Sequence, residues 1–332
     1  MGQSEKEIIA LIRSRSGSDG AELLRGIGDD CAVIRRGGGP AELVTTDALL
    51  EGVHFDPSWH PPRLLGRKAA AVNLSDIAAM GGRPRYAFLS LGLPGDGDEA
   101  WLEEFMAGFL ASLAEFDTIL IGGDTVRSPD GIMLSVTVLG EVAESEVLLR
   151  STAKVGDLVL VSGPLGEAAA GLELCRRGIY PPADERWPQL LKAHLDPQPE
   201  VQLGQILSRS GLVSALMDLS DGLATDLANL CRESGVGAEV QAAQLPIIPE
   251  VREVAEFLGG AAQTWALAGG EDYRLLLTVA PDQLEALLAL VRRELNRELY
   301  PVGRIVAEPG VRLWDGVTSR EISDLGFDHF RA

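Results

Sequence analysis

The chain has 332 residues, 46% of them hydrophobic and 23% charged, which suits a globular protein of about two domains and excludes an extensively disordered or fibrous one. Its 29 Lys and Arg against 49 Asp and Glu leave a formal net charge of −20. Such a field repels nucleic acid and anionic membranes, and it requires cations between the protein and any anionic substrate. The three cysteines, Cys31, Cys175 and Cys231, form no CxxC or Cys/His spacing, which points away from zinc and towards a reducing, cytoplasmic setting. No uncharged stretch reaches the length of a membrane span.

In chain order, residues 4–14 (SEKEIIALIRS) have the apolar spacing of a short amphipathic helix, and CAVIRR and ELVTTD flank the Gly37 to Pro40 turn as the strands of a hairpin. A long Ala-rich helix is predicted over 63–80, stopped by Gly81-Gly82. The strand YAFLSLGL follows, then an acid-capped helix from Asp98 to Phe116. DTILIGGD and GIMLSVTVLGEV complete a mixed sheet. The pattern breaks in the polar segment from Leu148 to Gly156, and DLVLVSG begins a second alternation of strands and helices. The domain boundary is placed there, giving 1–148 and 149–332. The second half is predicted to hold a helix after Gly166, helical segments between Pro188 and Ser210, the strand-turn-helix LVSALMDLSDGLATDLANL and the strand EDYRLLLTV. The fold class that follows is mixed α/β (α+β).

One arrangement recurs: an apolar strand or helix delivers an aspartate beside glycine or a hydroxyl residue. It appears as GIGDD at 26–30, TTD at 45–47, NLSD at 73–76, IGGD at 121–124, DLSDG at 218–222 and GGED at 269–272. Any one of these reads equally as an ordinary turn. Asp76 is harder to explain so, because it is the only charged residue of AAAVNLSDIAAM, a segment suited to a buried helix. A lone buried carboxylate costs several kcal/mol unless a cation accompanies it or it takes up a proton. Asp218, Ser220 and Asp221 sit between a strand and a helix, where one of them would serve as an N-cap worth about 1 kcal/mol, but capping does not require all three. Oxygen ligands without a Cys/His cluster suit a hard cation, most commonly magnesium on nucleotide phosphates. The ordinary nucleotide signatures, a P-loop, a protein-kinase catalytic loop or a dinucleotide fingerprint, are missing.

The segments GIGDDCAV, TTDALLEGVHF, KAAAVNLSDIAAMGG, LIGGDTVR, LLRSTAKVGD, DLSDGLATDL, LAGGEDY and GFDHF occur in that order, and together they resemble the thiamine-monophosphate kinase family of the aminoimidazole ribonucleotide synthetase-like superfamily. The resemblance runs from about residue 26 to the C-terminus and rests on pattern alone across 178–210 and 280–320. It implies a two-domain fold: an N-terminal mixed-sheet domain through which a homodimer forms, and a C-terminal α/β domain, with ATP between them. By matching motifs it implies that Asp30, Thr45, Thr46, Asp47, Asp76, Asp124, Asp218 and Asp221 hold several Mg2+ ions. Gly123, Asp124, Arg150 and Ser220 would contact ATP; His54, Glu271 and Phe327 would contact thiamine monophosphate, with Phe327 suited to packing on a flat heteroaromatic ring. The reaction implied is magnesium-dependent, in-line transfer of the γ-phosphoryl group to thiamine monophosphate, giving thiamine diphosphate, with no covalent nucleophile or general base. The competing reading is another ATP-using member of the superfamily. Selenophosphate synthetase would need a Gly-rich segment and a reactive thiol near the start, and residues 1–25 carry neither.

Overall fold

The computed structural model describes residues 4–16, 20–95, 98–181, 186–327 and 329–330; Asp328 of the GFDHF motif lies outside them. Two mixed sheets organise these residues, and the helices between them position the site.

The chain opens on α1 (Glu5–Arg15), where Ser4 and Glu7 form a reciprocal capping box. None of its residues is buried, so the helix lies on the surface. A short strand β1 (Leu23–Arg25) precedes the expected hairpin of β2 (Ala32–Ile34) and β3 (Ala41–Leu50). The Ala-rich helix α2 (Pro62–Ala79) ends as its glycines require: Gly81 takes φ +73°, and Gly81 and Gly82 donate to the carbonyls of Ala78 and Ile77. Next come β4 (Arg83–Leu93), α3 (Glu99–Ala114) capped by Asp98, β5 (Ile119–Arg127) and β6 (Met133–Val142). The strand order is β1-β2-β3-β6-β4-β5, antiparallel except for the β4/β5 pair.

The second half begins with β7 (Leu158–Val161), α4 (Glu167–Arg176), α5 (Pro188–Leu195), α6 (Val201–Ser210), β8 (Val213–Asp218) and α7 (Leu223–Ser234). It continues with β9 (Gly237–Gln241), α8 (Pro249–Leu258), α9 (Ala262–Ala268), β10 (Leu275–Val279), α10 (Leu284–Leu295), β11 (Tyr300–Val306), β12 (Gly310–Trp314) and β13 (Ser319–Glu321). These strands form a second mixed sheet in the order β13-β12-β9-β11-β7-β10-β8. The expected strand EDYRLLLTV is shorter than its sequence suggests. Strand β10 starts only at Leu275, because Glu271 and Tyr273 adopt left-handed φ values of 68° and 45° that a strand does not accommodate.

Helix α2 is the axle of the molecule. Leu65, Ala69, Leu74 and Ile77 pack into one core with Leu43, Leu89 and Val138 of the first sheet, and the same core takes in Leu160, Leu216 and Leu275 of the second. Alpha-helices α2 and α3 cross at two glycines: a Cβ on Gly66 would stand 2.1 Å from the Phe105 carbonyl oxygen, and one on Gly108 would stand 1.8 Å from that of Arg63. Neither neighbour is a flexible side-chain end. Gly108→Val is therefore expected to cost at least about 3 kcal/mol, the upper range of overpacking, as read from a denaturant midpoint with an unchanged slope. A midpoint within error of the parent would contradict the crossing. Among the described residues, no helix is long and apolar enough to cross a membrane.

Candidate active site

Helix α2 and strands β3 and β8 converge where the first sheet meets the edge of the second. The register of β3 sends Thr45, Asp47 and Leu49 towards α2, and Asp76 and Ser75 leave that helix one turn before its end. Asp218 is the last residue of β8, and Asp30 lies in the turn before β2. Carboxylate oxygens of Asp30, Asp76 and Asp218 come within 4.8 Å of one another. The neighbours are mostly hydroxyls rather than cations: Thr45 donates to Asp76, Ser75 Oγ donates to Asp218 Oδ2 at 2.6 Å, and the Asp47 amide donates to Asn73 Oδ1 at 3.1 Å. Arg150 donates to Asp30, and its amide donates to Asp29 Oδ1 at 3.2 Å. The other oxygen of Asp30 is buried with no hydrogen-bond partner.

So much negative charge removed from water opposes ionisation. Burial, reinforced by the charge of Asp30, pushes Asp218 up to about 8, and the same two causes lift Asp47 to about 6. Burial and then Glu5 raise Asp221 to about 6; burial and then Asp47 hold Asp76 well above the usual carboxylate range. Burial likewise raises Asp30, against the pull of Arg150. A cluster of this kind, with an orphaned oxygen, hydroxyl donors and Arg150 as its one cationic neighbour at Asp30, fits a divalent ion bound through oxygen. Such an ion would reverse the shifts by favouring the ionised forms.

The turn after β8 is the hub that brings the remaining motifs in. The Glu271 and Tyr273 amides donate to the carbonyls of Ser220 at 2.8 Å and Leu219 at 2.9 Å, and the Phe327 amide donates to that of Asp221 at 3.2 Å. No side chain at Asp218, Ser220 or Asp221 caps α7. The two amides just ahead of it are held from inside the helix by Asp226, whose Oδ2 accepts from Asp221 at 3.1 Å and Gly222 at 3.0 Å. The three residues are thus left for other work, and all of them line one cavity of about 650 Å3. Asp47, Asp76, His54, Glu271 and Phe327 share this cavity, together with Trp59, Trp265 and His194. The ring of His54 accepts from the Leu50 amide at 3.0 Å and stands 5.0 Å from the ring of His329, which meets Phe327 edge-on at 4.8 Å. Arg176 is the only Lys or Arg among the described residues lining the cavity.

Three sequence-predicted residues stand apart. Thr46 alternates to the opposite face of β3 from Thr45 and Asp47, donating to the Val136 carbonyl at 3.1 Å and accepting from Thr137. Asp124 is exposed on the edge strand β5, in register with Ser90, and accepts the Thr125 amide at 2.8 Å. Gly123 serves the backbone, since a Cβ there would stand 1.8 Å from the Leu89 carbonyl oxygen. Several residues of the site were not singled out by sequence. Asn73 and Ser75 support Asp47 and Asp218 from α2; Asp29 and Arg25 pair beside Arg150; Lys68, fully buried, pairs with Glu271 at 2.7 Å. Lys68 does carry a signal, as the last cation before the long apolar run of α2.

Residues 28–142 match the AIR synthase related protein N-terminal domain family, and residues 154–316 match its C-terminal counterpart. The thiamine-monophosphate kinase of Buchnera aphidicola subsp. Acyrthosiphon pisum is 35% identical over 99% of this chain and 100% of its own. That of Escherichia coli is 36% identical over 99% of each. A solved structure described as AaThiL complexed with AMPPCP and TMP superposes with a TM-score of 0.84 at 33% identity, covering 98% of this chain and 97% of the other. The thiamine-monophosphate kinase from Stenotrophomonas maltophilia gives 0.76 at 39% identity, over 92% and 94%. A HypE–HypF complex at 20% identity shares the fold alone. With matches of this length and identity, the chain belongs to the thiamine-monophosphate kinase family, on the two-domain AIR synthase-like fold.

Proposed function

We propose that the protein transfers the γ-phosphoryl group of ATP directly to the phosphate of thiamine monophosphate, forming thiamine diphosphate and ADP with the help of Mg2+. The observation that carries this reading is the buried cluster of Asp30, Asp76 and Asp218, with an orphaned oxygen on Asp30, of which Asp76 and Asp218 open into a cavity that also has aromatic side chains in its wall. Relatives named for this activity support it, as does the neighbour bound to AMPPCP and TMP.

In this reading Asp30, Thr45, Asp47, Asp76, Asp218 and Asp221 hold the metal. Bound magnesium offsets the repulsion between donor and acceptor phosphates and aligns them. The residues themselves do the rest by position. Phe327, His54 and Glu271 take the heterocyclic end of the acceptor, so that its phosphate is turned towards the carboxylates. No side chain need act as base, because a phosphate monoester loses its second proton near pH 6 and the attacking oxygen is already ionised at neutral pH. ADP formation from ATP and magnesium across a panel of phosphorylated and free acceptors tests the assignment. Turnover is expected with thiamine monophosphate; preference for another acceptor would move the protein elsewhere in the superfamily.

The domain division at 148/149, the cytoplasmic setting and the homodimer belong to the same proposal. The face of the first sheet turned away from α2 exposes Tyr86 and Phe88, and the edge strand β5 exposes Ile119, Ile121 and Val126. An apolar area of this kind suits a partner of the same chain. Thr46 and Asp124 lie on that face, where pairing would bring a second copy against them. Phe88→Lys is expected to convert a dimer to a monomer in sedimentation equilibrium; a parent protein that sediments as a monomer would overturn the pairing.

A further inference from the structure

Beneath the cavity, behind Glu271 of its lining, lies a charged group that the phosphate chemistry does not use. Lys68 is 0% exposed, at the head of the apolar run Ala69 to Val72, and a buried ammonium is rare unless it is paired. Its Nζ stands 2.7 Å from Glu271 Oε1 and 3.4 Å from the His54 carbonyl oxygen. The second carboxylate oxygen, Oε2, is 3.0 Å from Nδ1 of His194, a residue 1% exposed on α5. Glu271 is thus paired at one oxygen with Lys68, while the His194 ring sits against the other with Nδ1 close by but not aligned for a hydrogen bond.

The backbone is fixed as firmly. Glu271 and Tyr273 both hold left-handed φ values that cost non-glycine residues free energy, and the residue between them, Asp272, anchors the loop by accepting the Gly166 amide at 2.7 Å and the Ala168 amide at 3.2 Å. Strain held in place by surrounding contacts is the mark of a side chain that must point one way. Around the carboxylate, the walls within reach are aromatic: Trp59 lies 5.6 Å from His194, and Tyr273 and Trp265 complete the lining.

We propose that Lys68 and His194 are positioning residues that orient the Glu271 carboxylate as the anionic recognition point for the nitrogen-rich, electron-poor heterocycle of the acceptor. This rests on the proposed function, since it takes Glu271 as an acceptor contact. The charge state agrees with it: burial alone would raise Glu271, but Lys68 and then His194 outweigh that and hold the carboxyl well below the usual range. His194 itself is lowered, by burial and then by Lys68, so a neutral ring stands beside Glu271, close enough to orient the carboxylate once the acceptor is bound. A fixed carboxylate at a cavity wall accepts hydrogen bonds from an exocyclic amine and attracts a cationic ring. It has nothing to offer an uncharged acceptor lacking such donors.

The test is a double-mutant cycle in the intact protein, read as kcat and as KM for thiamine monophosphate and ATP separately. Lys68→Met is expected to raise KM for the acceptor at least about 10-fold, the loss of one oriented polar contact, while KM for ATP and kcat at saturation stay within about 3-fold. In a Glu271→Gln background, where the carboxylate is already gone, Lys68→Met should add no further change. His194→Asn keeps a nitrogen at the Nδ1 position and should retain acceptor affinity that His194→Ala loses. These two variants carry the test if Lys68→Met alone fails to fold, and Lys68→Met with Glu271→Gln replaces the ion pair by neutral groups. Equal effects of Lys68→Met in the two backgrounds, or a parallel loss for ATP and acceptor, would overturn the positioning role. A parent protein that binds ATP but turns over no thiamine monophosphate would overturn the function instead.

Discussion

Asp218→Asn should lower kcat at least about 10²-fold in saturating magnesium, the scale of removing one preorganised electrostatic group, without weakening the metal-free fold. Asp218 is 3% exposed, receives Ser75, and is driven up to about 8 by burial and by the charge of Asp30. Asparagine keeps the shape and an acceptor oxygen for Ser75 but removes one of three facing charges. Most buried polar substitutions destabilise. Here the metal-free variant should melt as high as the parent or higher at pH 8, because the ionised parent carries uncompensated repulsion. Loss of turnover with retained or raised melting temperature separates a ligand from a structural residue. Near-normal turnover, or a variant that melts well below the parent in the absence of metal, would remove Asp218 from the proposed metal site.

The second large effect couples metal, pH and stability. Asp47 and Asp221 are raised to about 6 and Asp218 to about 8, each chiefly by burial, against an unfolded value of about 3.9. A carboxyl raised in the fold favours the folded state while protonated. That contribution is fully present below the unfolded value and is lost as pH rises through the folded one. The metal-free protein is therefore expected to lose melting temperature from about pH 4 upwards, most steeply up to about 6 where all three groups contribute, more gently to about 8 where Asp218 alone remains, and to level off above that. Magnesium must find its ligands deprotonated, so the stabilisation it gives should grow over the same interval. At about 100 times its dissociation constant it contributes about 2.7 kcal/mol, on the order of 5 °C for a chain of this size. Differential scanning calorimetry with chelator and with magnesium reads both curves. A magnesium shift that is larger at pH 5.5 than at pH 9 would contradict the cluster as a cation site.

The contrast between Asp76 and Lys68 explains what the sequence could disclose. Asp76 announces itself, because one carboxylate in AAAVNLSDIAAM has no local partner and demands an explanation. Lys68 stands two turns earlier, where a lysine ordinarily marks a helix surface, and its burial is decided by Glu271, about 200 residues away in the chain. His194 is hidden for the same reason: only the packing of α5 brings it to that carboxylate. Thr46 is a different matter, since strand alternation already separates it from Thr45 and Asp47, and the motif resemblance hides that simple geometry. The first sheet was largely legible from its turns and periodicity. The left-handed loop at Glu271 was not, because neither Glu nor Tyr advertises a positive φ. Likewise β11 and β12 join the second sheet through pairings with the distant strand β9 that no local pattern encodes, while β13 adds to β12 as a short hairpin.

Helix α2 ties the two ends of the cavity together. Lys68 and Asp76 are eight positions apart on one rigid element, a rise of about 12 Å, so the spacing between the Lys68–Glu271 pair and the carboxylate cluster is cut to length by the helix itself. Point changes on its surface leave that gauge intact. Inserting or deleting a single residue between them would rotate one end by about 100° against the other and shift it by about 1.5 Å, misaligning every group at once. On the proposed reading, this stretch tolerates substitution far better than a change of length, and a relative with a gap between the two positions is expected not to turn over the same acceptor.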